Sequence, residues 1–223
     1  MEITVQGFSE KSLRPEVGRL HATVQAEANT KDDVLAKVTA VVTAFGDELR
    51  RLEALDEPPL REVVVRPITT SSWRPVNRGK MQPPIFTANA SAQADFTDFA
   101  ALADIAAAFG ATDHLNLTYV EWRLTDETRL AVEAQCVAAA VLAAKDRAAT
   151  MAKAAGAGDV RFLSVADPGL LGDRSARDLA YGAPASAGLM RSKSAMDVQG
   201  IEIAPEDITV SVTVQARFSA DEA

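Results

Sequence analysis

The stretch that most constrains the fold runs from Asp126 to Ala155. Small and apolar residues recur there at Leu130, Ala134, Val137, Val141, Ala144, Ala148, Met151 and Ala155. That alternating four-and-three spacing lines one face of a long α-helix. So much alanine lets such a face approach a sheet closely. Asp126 and Glu127 open the helix, where negative charge suits its dipole, and Gly156 follows the last periodic residue as a stop. A strand is expected on either side, one after Gly110 and one ending at Ala166.

Most of the remaining chain alternates with the period of half-buried strands. Glu2 to Leu13 and Gly18 to Ala28 both do so, and in the second Leu20, Ala22, Val24 and Ala26 oppose Arg19, His21, Thr23, Gln25 and Glu27. With Pro15 between them, the two read as a hairpin with one wet face. Thr30 caps a helix with Asp33 placed to reach back, and Val34, Val38, Val41, Phe45, Leu49 and Leu52 form its stripe. Strands over residues 61–75 and 85–96 follow, the second with Phe86, Ala88, Ala90, Ala92, Ala94 and Phe96 on one face. Thr97 or Asp98 caps a shorter helix that Gly110 ends. Residues 207–218 alternate most clearly of all and must return to an earlier sheet. The order predicts an α+β fold, mainly antiparallel, with helices on one face of the sheet, one of them long and alanine-rich.

A chain of 223 residues with 48% hydrophobic content can bury a sizeable core, as a single domain over 1–223 or as two intimately packed lobes. Residues 167–200 break the pattern: Gly169, Gly172, Gly182, Pro184 and Gly188 lie among Ser and Ala, as expected of a mobile loop. Arg174, Arg177, Arg191 and Lys193 make that loop locally basic. A net charge of −8 argues against a general nucleic-acid or anionic-membrane surface and leaves room only for a local basic patch. The opening residues lack a signal-peptide pattern, and no apolar run approaches the ~20 residues of a membrane span. A cytoplasmic location is the expectation, and Cys136, as the single cysteine, fits a reducing compartment.

Chemistry is sparse. His21 lies on the polar face of a strand and His114 at the start of one; neither stands in a catalytic or metal-ligating arrangement, and both read as solvated or structural. Cys136 sits mid-helix without a neighbouring cation, as a small buried hydrophobe does. Asp95, Asp98, Asp104 and Asp113 lack calcium-loop spacing and read as caps and solvated faces. Residues 156–161 resemble part of a dinucleotide fingerprint but end a helix instead of opening one. No catalytic residue, metal or cofactor is implied. Trp73 with Arg74 and Arg78, and Tyr119 with Trp122, form a different kind of candidate, because aromatics beside arginines concentrate binding energy at protein interfaces.

The chain also resembles the SIMPL-domain family, which includes bacterial periplasmic immunogenic proteins, oxidative-stress defence proteins and a eukaryotic kinase-associated signalling protein. The likeness rests on Ile3 to Gly7, on Arg14-Pro15-Glu16-Val17, and on Pro67 and Pro75. It continues through Phe99, Leu102 and Gly110-Ala111, then Lys145, Ala148, Ala152, Ala155 and Gly156, then Val160 and Ser164-Val165, and finally Ile203-Ala204-Pro205 before the last strand. The resemblance implies an α+β fold, a tendency in some members to assemble into large rings or channel-like oligomers, a stress- or envelope-related role, and no established enzymatic activity. The expected role is therefore a non-enzymatic, self-associating protein, with strand edges and the aromatic-rich hairpin as its surface. Two alternatives stand beside it. One is a ligand-binding protein or hydrolase whose pocket is covered by residues 167–200; the other is an adaptor that binds a protein partner through that loop.

Overall fold

In a computed structural model of the chain, residues 1–171 and 205–222 are described. They form three helices and a mainly antiparallel set of strands, divided between two compact units. Most of the expected loop, residues 172–200, lies outside the described residues, and with it the ligand-pocket and adaptor readings built on that loop. Its first residues are described and tied to the last strand: the Gly169 amide donates to Gln215 Oε1 at 3.1 Å, and Arg217 Nη2 donates to the Leu171 carbonyl at 3.0 Å.

One unit holds the long helix. Strands β1 (Glu2–Leu13), β9 (Ala157–Ala166) and β10 (Ile208–Glu222) form a three-stranded sheet in the order β1-β10-β9, and α3 (Asp126–Ala154) packs on it. The ends of β1 show how it runs along β10, for Met1 exchanges hydrogen bonds with Ala220 and Ser12 meets Thr209 at 2.8 Å. Gly156, at φ 74°, takes the left-handed conformation that stops α3.

The buried stripe of α3 corrects the expected one. Val132, Cys136, Ala140, Ala144, Ala148 and Ala152 are buried, a strict four-residue spacing, whereas Leu130, Val137 and Met151 are exposed. The reason is closeness. A Cβ built on Gly7 of β1 would overlap the Ala140 carbonyl oxygen and stand 2.8 Å from the Ala144 amide nitrogen. Only a ridge of small side chains along the i+4 row permits that approach.

The other unit has a sheet with the order β3-β7-β2-β8, in which β4 continues the β3 edge along β7. Its strands are β2 (Val17–Ala28), β3 (Leu60–Val65), β4 (Thr69–Trp73), β7 (Ile85–Phe96) and β8 (Leu115–Arg123). The expected strand over 61–75 is broken between β3 and β4, where Pro67 offers no amide to the ladder. A separate two-stranded ribbon, β5 (Val76–Asn77) with β6 (Lys80–Met81), fills the connection to β7. Helices α1 (Lys31–Glu53) and α2 (Phe99–Phe109) cover one face through Val34, Val38, Phe45, Leu49, Leu102 and Ile105. Thr30 caps α1 by accepting from the Asp33 amide at 3.2 Å, and Asp98 caps α2.

β1 and β2 do not form the expected hairpin; they belong to different sheets. A tight hairpin turn wants residues at positive φ, and Arg14-Pro15-Glu16 supplies a ring-locked negative one instead. Glu16 is drawn to the end of β8. Its amide donates to the Arg123 carbonyl at 3.0 Å, and its carboxylate accepts from the amide and hydroxyl of Thr125, both at 2.8 Å.

Candidate functional site

Strict alternation in β2 and β7 places all of their polar side chains on the sheet face that the helices leave open. The register sets Arg19 opposite Asp95, His21 opposite Gln93, Thr23 opposite Ser91 and Gln25 opposite Asn89. Charges on that face are matched across four strands. Arg19 grips Asp95 with two hydrogen bonds, Nε to Oδ1 at 2.5 Å and Nη2 to Oδ2 at 2.7 Å, and reaches Glu62 on β3 at 3.3 Å. Arg123 on β8 lies 3.7 Å from the same Asp95. The hydrogen bond to Asp95 raises the Arg19 pKa above its ordinary value, against the opposing effect of burial.

His21 is held within this network. Nε2 faces Glu121 at 3.3 Å, Nδ1 faces Gln93 Nε2 at 3.2 Å, and the ring stacks on Tyr119 with centroids 4.3 Å apart. Both ring nitrogens are therefore engaged by neighbouring side chains, Glu121 and Gln93. His114 sits elsewhere on the sheet with φ 66°, and its carbonyl accepts from the Gln25 amide at 2.9 Å. It borders an open, shallow depression with Thr23, Gln25 and Asn116. Cys136 is buried in α3, its Sγ 3.7 Å from the Val210 carbonyl. Among the described residues no three His, Cys, Asp or Glu side chains converge to hold a metal ion.

The five candidate interface residues are distributed over both edges of one sheet. Trp73, at the end of β4, and Arg74 and Arg78 beyond it are all exposed. Tyr119 stands on β8 at the opposite edge, its ring half-exposed above His21. Trp122 is half-buried: it meets Phe99 edge to face at 5.0 Å and packs over Gly18, where a Cβ would come within 2.9 Å of its ring. Its ring covers the core, whereas Trp73 covers nothing comparable.

A second exposed apolar surface lies on β9, which the sequence marks only as a strand. Phe162, Leu163 and Val165 are 46%, 55% and 50% exposed. A register shift between Arg217 and Phe218 of β10 leaves Leu163 unpaired, with Ser164 opposite Arg217 and Phe162 opposite Phe218. Among the described residues β9 has a neighbour on one side only. A signal was present in Phe162-Leu163-Ser164-Val165, a cluster of large apolar residues without the alternation of a half-wet strand. The charged residues of the strand, Asp159 and Arg161, lie in its first half, so the apolar residues that follow have no charge among them.

No helix of the described residues is long and apolar enough to cross a membrane. The family model of SIMPL, a protein family of unknown function (DUF541), matches residues 3–218, nearly the whole chain. No curated protein matches the chain.

Proposed function

The chain belongs to the SIMPL family, and on that premise we propose that it works by assembling with copies of itself, using the free edge of β9. The supporting observation is the exposure of Phe162, Leu163 and Val165 on a strand with one unpaired side among the described residues. An unpaired edge offers a row of backbone donors and acceptors to another strand, and apolar side chains beside it gain from being covered. Closed symmetry among identical chains removes the edge without leaving a new one.

The matched charges on the sheet face of the other unit suit a scaffold better than a reaction centre. Arg19, Asp95, Glu62, Arg123, Glu121 and His21 contact one another, an arrangement that ties β2, β3, β7 and β8 together. The test is the absolute mass of the purified chain by light scattering over a range of concentration and ionic strength. A discrete oligomer that persists on dilution is expected. A monomer throughout would overturn the reading.

A further inference from the structure

We propose that the arm between β4 and β7 docks on an anionic lipid surface. Between Glu62 and Asp95 the chain has no acidic residue, yet it carries Arg66, Arg74, Arg78 and Lys80, in a protein of net charge −8. Among the described residues none of these four cations pairs with a carboxylate, and all four are exposed. The cations are therefore free to meet an external anion.

The geometry decides which kind. Arg78 and Gly79 have φ of 48° and 78°, the two positive values that a two-residue type I′ hairpin requires. The ribbon pairs Val76 with Met81 and Asn77 with Lys80, and the Gln82 amide extends it by donating to the Pro75 carbonyl at 2.8 Å. Cross-strand partners share a face, so Val76 and Met81 lie together on one side of the ribbon and Asn77 and Lys80 on the other. Val76 is 67% and Met81 69% exposed, and Trp73 stands at the base of the arm.

An aliphatic face, a tryptophan and cations without acids match the boundary between lipid headgroups and acyl chains, where apolar groups sink and cations stay with the phosphates. A nucleic acid would use the cations and the ring but leave Val76 and Met81 in water. The chain is acidic as a whole, so attraction to anionic lipid requires a local cationic patch such as this one.

The test uses the full chain with Trp122→Phe, which makes Trp73 the sole tryptophan, and vesicles of phosphatidylcholine with and without phosphatidylglycerol. Co-sedimentation only with the phosphatidylglycerol vesicles, weakened by salt and accompanied by a blue shift of Trp73 emission, is expected. At about fivefold per cation, Arg78→Gln with Lys80→Gln should weaken partitioning roughly twenty-five-fold. Val76→Ser with Met81→Ser should weaken it on the order of tenfold, with an unchanged far-ultraviolet circular dichroism spectrum in each case. Failure to sediment, equal sedimentation of the natural and charge-altered arms, or binding to polyglutamate or single-stranded DNA in place of the vesicles would each overturn the proposal. Light scattering reads the self-association separately, so the two ideas fail independently.

Discussion

Gly7 on β1 lies so close to Ala140 on α3 that no side chain fits between the two backbones. The atoms in the way are a carbonyl oxygen and an amide nitrogen fixed in a helix, not the end of a flexible side chain. Gly7→Ala therefore has to move the helix or the strand. A loss of about 3 kcal/mol is expected, the upper part of the range for overpacking, and urea denaturation followed by far-ultraviolet circular dichroism measures it. A loss under about 1 kcal/mol would mean that helix and strand yield more easily than a packed interior does.

Gly18→Ala makes the contrasting case. The added methyl would meet the Trp122 ring at 2.9 Å and the Leu102 side chain at 3.1 Å. Both neighbours are side chains that can shift. The cost should be about 1 kcal/mol, and Trp122 fluorescence should change in the folded protein. A cost larger than that of Gly7→Ala would contradict the distinction between backbone and side-chain obstacles.

These two glycines mark how far the sequence discloses the fold. Alternation located the strands, and the stripe and cap of α1 were read correctly down to Thr30 and Leu49. Which strands pair was harder, because alternation is the same in a hairpin as in strands of separate sheets; the bonds from Glu16 to the end of β8 decide it for β2. The α3 stripe was misplaced for a related reason. Hydrophobicity points to Leu130, Val137 and Met151, but a partner as close as Gly7 selects for smallness, which favours the alanines. Of the candidate surface, Trp73 and Tyr119 stood out because aromatic residues are conspicuous in a chain with 5% of them. The exposure of Leu163 depends on which strand stops beside it, and a linear pattern carries no such information.

The Arg19–Asp95 pair should behave as a coupled unit. Its side chains are only 23% and 15% exposed, so screening is weaker than for a surface pair. A double-mutant cycle with Arg19→Gln and Asp95→Asn is expected to give a coupling of about 1–2 kcal/mol, above the ~0.2–1 kcal/mol typical of exposed pairs. Additive effects would mean that Glu62 and Arg123 compensate fully for the missing partner.

Glu48 tests the opposite regime. The hydrogen bond from Arg51, at 2.6 Å, holds its carboxyl below the usual carboxylate range. A depressed folded-state value stabilises the protein above the unfolded carboxylate range and is lost as pH falls through the folded value. Both groups lie on the wet side of α1, where solvent screens them. Glu48→Gln should therefore lower the melting temperature slightly at neutral pH and not at all in acid. A difference that grew on acidification would have the wrong sign for this pair.

Trp122 and Leu163 separate folding from assembly. Trp122→Ala removes a half-buried ring that packs on Phe99 and Gly18, so it should cost about 2 kcal/mol of stability, less than a fully buried ring. The oligomer of the folded protein should survive it. Leu163→Lys with Val165→Lys places charge on an edge where the side chains are already half in water, so stability should change by no more than about 0.5 kcal/mol. Assembly through β9 should then fail, because pairing the edge would bury the new charges beside another strand. Thermal denaturation should therefore change only in the Trp122 variant and the mass by light scattering only in the lysine variant. An intact oligomer in the lysine variant would place the association surface elsewhere, with the edges at Trp73 and Tyr119 next to be altered.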